Sequence, residues 1–167
     1  MTDKEMKIAV NAYLETLLWS ETLSVCDEEG EPGVLTYQGT DYEDGCPLSD
    51  IIDSSDIETL NPKIIEEVEA DLKEFAAYCV QEIGMDPFMF FDPSEVAHNF
   101  CLSRNRHGAG FFDSTWQIET KQAGVMFDSR GLANDLLSCA NAMGTHGLTV
   151  WVKTVDCEEV LRVVSHS

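Results

Sequence analysis

Apolar residues recur at three- and four-residue steps from the start of the chain. Met6, Val10, Tyr13, Leu14, Leu17 and Leu18 form one stripe, with Glu15 and Glu21 outside it. That spacing predicts an amphipathic helix, capped by Thr2 or Asp3 and carrying acids in its first turn. The pattern then breaks. CDEEGEPGVLTYQGTDYEDGCPLSDIID is rich in acids, glycine and proline, which predicts an acidic loop over 27–53, a candidate mobile segment. Within it VLTYQ has the composition of a short edge strand. A second helical stripe follows: Ile64, Val68, Leu72, Phe75, Cys79 and Ile83. Ser55–Glu58 fits a capping box, Asn61–Pro62 is a stronger start with Asn as cap, and Gly84 is a natural stop.

After MDPFMFFDP the period changes to two. Val96, His98, Phe100 and Leu102 alternate with Ala97, Asn99, Cys101 and Ser103, which predicts a strand. RNRHGAG then reads as a turn and GFFD as the start of a return strand, so that His98–Asp113 is expected to be a β-hairpin, with TWQIETKQAGVMFD extending the sheet. Leu132, Leu136, Cys139, Ala140 and Met143 predict a third helix, capped by Asp128 or Ser129 and ended by Gly144. LTVWVKTV and EEVLRVV alternate about Asp156–Cys157–Glu158 and predict a second hairpin. The expected fold is a single α+β domain over 1–167, in the order helix, loop, helix, hairpin, helix, hairpin, with about three helices packed on an antiparallel sheet.

Charge changes the picture. The chain of 167 residues has 31 acids against 10 Lys and Arg, a formal net charge of −21. Through Glu95 there are 24 acids and four lysines; beyond it, seven acids and six bases. Such a surface repels nucleic acid and anionic membranes and attracts basic proteins and cations. Hydrophobic residues at 44% and three Trp, four Tyr and eight Phe point to a folded body and not an acidic tail. The six cysteines, at 26, 46, 79, 101, 139 and 157, contain no CxxC pair. With no secretory leader and no apolar run of membrane length, the expected setting is a reducing cytoplasm with free thiols.

The densest motif is HNFCLSRNRHGAGFFD, which gathers Arg104, Arg106 and His107 with Gly108, Gly110 and Asp113. Two readings fit these residues. One is an anion site, in which guanidinium groups and glycine-rich backbone face a phosphate or carboxylate; His107 and Asp113 are its candidate catalytic pair. The other is internal: the arginines reach the chain's own acidic helices. His98 is expected to be a buried, hydrogen-bonded histidine on the apolar face of the strand. His146 and His166 have no evident partner. DYEDG fails as an EF-hand loop, because Gly45 comes one position early and Ile52 stands where a ligating Glu belongs,. No phosphate-loop, dinucleotide, zincin or serine-hydrolase motif is present. No metal and no cofactor is expected.

The same stretch resembles a motif in small uncharacterised proteins encoded by bacteriophages and related mobile elements: His-Asp-Phe, a Thr-Arg turn, then His-Gly-Ala-Gly-Phe-Trp-Asp. The matching positions are His98, Phe100, Leu102, Arg104, Asn105, His107, Gly108, Ala109, Gly110, Phe111 and Asp113. Asn99 replaces an acid, Cys101 an aromatic, Arg106 a glycine and Phe112 a tryptophan. AYLETLLWS and the acidic second helix are also similar. The resemblance implies a phage accessory gene and supplies no chemistry.

Acids three or four residues apart on a helix stand about 5–6 Å from one another, and duplex DNA carries a phosphate charge per roughly 1.7 Å of axis. Asp50, Asp53, Asp56, Glu58, Glu66, Glu67, Glu69, Asp71 and Glu74 are therefore candidates for a DNA-mimicking surface. The expected function is non-enzymatic: an anti-defence or host-inhibiting phage protein that binds a basic surface of a host protein in the host cytoplasm. Tyr37, Tyr42 or Phe88 would be its aromatic anchors. Direct nucleic-acid or membrane binding is not expected, and a homodimer is one option. The rivals are a small enzyme or anion-binding module at the Arg104–Asp113 turn, and a phage structural or assembly factor.

Overall fold

The computed structural model describes residues 1–111 and 129–167. Helix α1 (Asp3–Ser20) starts at a reciprocal cap: Glu5 N–H donates to Thr2 Oγ1 at 3.1 Å and Thr2 N–H to the Glu5 carboxylate at 2.9 Å,. Its apolar stripe is buried as the spacing predicts. The acidic segment after it is not wholly irregular. Strands β1 (Val34–Tyr37) and β2 (Thr40–Glu43) pair antiparallel. Gln38 and Gly39 between them both have positive φ, 49° and 77°, the tight hairpin turn whose twist suits paired strands. Short 3₁₀ turns follow at Leu48–Asp50 and Ser54–Asp56, then α2 (Ile57–Leu60). The capping box lies at Asp53–Asp56, two residues before the expected Ser55–Glu58.

Helix α3 (Pro62–Ile83) starts and ends where predicted, with Gly84 left-handed at φ 73°,. Asn61 does not cap it through its side chain; Asn61 Nδ2 donates instead to the Val163 carbonyl at 3.0 Å. The short helix α4 (Pro87–Phe90) begins at Asp86, whose carboxylate accepts from Phe88 N–H at 2.9 Å.

The expected hairpin at His98–Asp113 is overturned. Helix α5 runs over Pro93–Arg104, with Asp92 as its cap, accepting from Ser94 N–H at 2.9 Å and Glu95 N–H at 3.3 Å. Pro at the first helical position and a capping Asp outweigh the strand-like alternation. Helical periodicity was obscured because α5 is enclosed on several sides: Val96, Ala97, Phe100, Cys101, Leu102, Ser103 and Arg104 are all buried. The helix closes at Arg106, φ 58°. Arg106 N–H donates to Ser103 O and His107 N–H to Leu102 O, both at 3.2 Å, the paired bonds of a left-handed helix stop,. The return strand expected from GFFD and the sheet extension over TWQIETKQAGVMFD fall largely outside the described residues.

Helix α6 (Ser129–Ala142) buries Leu136, Cys139 and Ala140. Strands β3 (Gly147–Val155) and β4 (Glu158–His166) then form the predicted second hairpin, turning at Asp156 and Cys157. The fold is α+β, with two separate two-stranded antiparallel sheets among the described residues. Aromatic rings centre the core. Phe75 of α3 stacks on Phe100 of α5 at 4.2 Å, meets Phe88 edge-on at 6.5 Å and lies 6.0 Å from Phe111. Phe88 is only 1% exposed, so it cannot act as the surface anchor expected of it.

Candidate functional site

Arg104 sits on the last turn of α5, 5% exposed. Its Nη1 donates to Asp71 Oδ2 on α3 at 2.6 Å and to Tyr13 Oη on α1 at 3.1 Å. Its Nε and Nη2 donate to the carbonyls of Gly144 and Met143 at 2.8 and 3.3 Å, beyond the end of α6. The guanidinium also lies 5.1 Å from the centre of the Phe100 ring, a cation–π distance. One side chain thus ties α1, α3, α5 and the α6–β3 connection. Since Arg104 donates to the Tyr13 oxygen, the Tyr13 hydroxyl proton is free for His146 Nδ1, 2.8 Å away. His146 N–H in turn donates to Asn105 Oδ1 at 2.7 Å.

The electrostatics follow from burial. Desolvation raises the Tyr13 pKa well above its ordinary value, only partly offset by Arg104. It lowers that of His146, and the Arg104 charge lowers it further. Desolvation works against the charge on Arg104, but the Tyr13 and Asp71 oxygens outweigh it and raise the pKa. Cys79, Cys101 and Cys139 are all pushed up by burial, so they stay thiols and are poor nucleophiles. These buried groups form a satisfied structural network.

The rest of the motif is distributed differently. His98 is exposed, not on a buried strand face; its Nδ1 lies 2.7 Å from Thr16 Oγ1 on α1. Asn99 Nδ2 donates to Glu95 O at 2.9 Å. Arg106 and His107 are exposed, as is Gly108. Gly110 is buried, φ 93°, and packed so closely that a Cβ there would lie 2.5 Å from Ser103 Oγ and 2.8 Å from Asn99 O. Phe111 N–H donates to Ser103 Oγ at 3.1 Å. The glycine therefore lets the chain return across α5 and deliver Phe111 to Phe75. Asp113 lies outside the described residues. His146 and His166, which offered no partner in the sequence, have neighbours here: His146 bonds to Tyr13, and the His166 ring covers Gly147.

The candidate acids divide in two. Asp50, Asp53, Asp56, Glu58, Glu66 and Glu74 are exposed and Glu69 is half-buried. Asp71 is spent on Arg104, and Glu67 accepts from Ser165 Oγ and pairs with Lys63 at 3.7 Å. Those two ion pairs are the only ones among the described residues. Beside the 3₁₀ turns, α1 and the 49–55 segment enclose an open groove of about 480 Å³, lined by Asn11, Glu15, Leu18, Ile52, Asp53 and Ser54 among others. Among the described residues, no group of three His, Cys, Asp or Glu is placed to share a metal ion, and no helix is long and apolar enough to cross a membrane. No protein-family model, no curated protein and no solved structure matches the chain.

Proposed function

We propose that this is a non-enzymatic, phage-encoded accessory protein that binds a basic, nucleic-acid-binding surface of a host protein and blocks it. One observation carries the reading: a set of exposed acids has no ion pair among the described residues. Asp50, Asp53, Asp56, Glu58, Glu66 and Glu74 face solvent and have no ion pair among the described residues, whereas Glu67 and Asp71 do. A field of that kind draws a basic surface in from a distance and imposes strong salt dependence on the complex. Arg104 is fully engaged inside the fold, which favours this reading over an anion-binding or catalytic turn at Arg104–Asp113. The host cytoplasm is the proposed setting.

The test is capture of host proteins on the immobilised chain at low salt and at about 0.5 M, where screening shortens to a few ångströms, followed by competition with duplex DNA. Partners released by salt and displaced by DNA are expected. Partners that withstand the salt or ignore the DNA would overturn the proposal.

A further inference from the structure

We infer that the groove between α1 and residues 49–55 seats a basic side chain, arginine or lysine, of the bound partner. The inference rests on the proposed function and assigns it a place. The exposed Glu15 and Asp53 line the groove, and behind them Leu18 and Ile52, each 1% exposed, belong to the core. Two carboxylates on one cleft suit a side chain that carries its positive charge at the end of a long stem.

The carboxylates are held in position. Ser54 Oγ donates to Asn11 Oδ1 at 3.0 Å, and Asn11 Nδ2 donates to Glu15 Oε1 at 2.8 Å. Across the groove, Asp53 N–H donates to Asp56 Oδ2 at 3.0 Å, within the reciprocal cap of the 3₁₀ turn. Neither Glu15 nor Asp53 has a cationic partner among the described residues. The α1 face beside the groove is exposed: Ile8, Asn11, Glu15 and Trp19 follow one another at helical steps, with Ile8 43% and Trp19 62% exposed,. A solvent-facing indole one turn from Glu15 offers a π face to the same cation. Carboxylates without a cationic partner and an exposed indole together specify a cationic occupant.

The probe is a short oligo-arginine peptide, titrated calorimetrically into the full chain at low salt. Glu15→Gln with Asp53→Asn keeps the local hydrogen bonds and removes two charges, and Trp19→Ala removes the indole. Glu28→Gln with Glu29→Gln removes the same charge from an exposed turn elsewhere; thermal melts confirm that all variants fold. The groove pair should weaken binding roughly tenfold, as two ion pairs allow, and Trp19→Ala severalfold, against twofold or less for the control pair. Equal losses from both pairs would overturn the groove while leaving an acidic binding surface standing. A wild-type chain that ignores the peptide would overturn both. Self-association abolished by the groove pair without peptide would also overturn the inference, because a second copy would then be the occupant.

Discussion

Removing the carboxylate of Asp71 isolates the ion pair on which Arg104 depends. In Asp71→Ala the guanidinium, 5% exposed, loses its only anionic contact among the described residues. Stranding one member of a buried pair costs about 3–5 kcal/mol in general. Here the loss is reduced on two counts: Arg104 keeps the Tyr13 hydroxyl and two carbonyls as acceptors, and the Asp71 side chain is itself 26% exposed. The expected cost is about 2–3 kcal/mol, a fall in Tm of roughly 5–10 °C for a chain of this size. Arg104→Met leaves four acceptors without this donor, the Asp71 carboxylate, the Tyr13 oxygen and the carbonyls of Met143 and Gly144, and should cost about as much,. The double variant should cost less than the two singles together, by about 1–2 kcal/mol, because both remove one interaction. Urea denaturation followed by far-UV circular dichroism, with unchanged m, measures all three. A cost below about 1 kcal/mol for Asp71→Ala, or strict additivity in the double variant, would refute the ion pair as the bond that seats Arg104.

His146 should make folding pH-dependent. Its pKa lies below the ordinary 6.5 through burial and the Arg104 charge, with Asp71 and Glu67 pulling it up and His166 down. The unfolded chain then binds the proton more readily, so stability is complete above about pH 6.5 and is lost as pH falls below it. His146→Gln should flatten that part of the curve, and an unchanged slope would count against the assignment; Glu21, raised by burial, acts in the opposite sense and is common to both proteins. Gly110→Ala should cost more than about 2 kcal/mol, since it adds the strain of positive φ to a contact with backbone,; a chemical melt within 1 kcal/mol of wild type would contradict the packing. Arg106→Gly should stabilise by about 0.5–1 kcal/mol, because φ 58° at a helix stop favours glycine,; a lower Tm would show that the exposed arginine makes a contact of its own.

The elements legible in the sequence were those with one buried face. Stripes of period 3.6 placed α1, α3 and α6, and alternation placed β3 and β4, because one side of each meets solvent. Helix α5 was misread for the opposite reason. It buries Ser103 and Arg104 along with Phe100 and Leu102, so polarity no longer tracks exposure. Of the β1–β2 hairpin the first strand, VLTY, was legible as a short strand, but its partner TDYE was hidden because it is short and largely exposed. The acids were legible as composition, but composition did not show that Asp71 turns inward to Arg104 while its neighbour Glu74 does not. Tyr13 and His146, 133 positions apart, meet only through the fold, and no local spacing announces that pairing. Arg106 stands at a left-handed position, which its residue type does not announce,.

A chain of formal net charge −21, with two ion pairs among its described residues, does work against itself when it folds, because closing the chain draws its own carboxylates together,. Dissolved salt relieves that work, so the free protein should melt at a higher temperature as ionic strength rises. Under the function proposed above, the same ions would dissolve its union with a basic partner. Isolated chain and assembly would therefore answer one titration in contrary directions, and the protein would be least comfortable alone under the dilute conditions that hold it most firmly to its target.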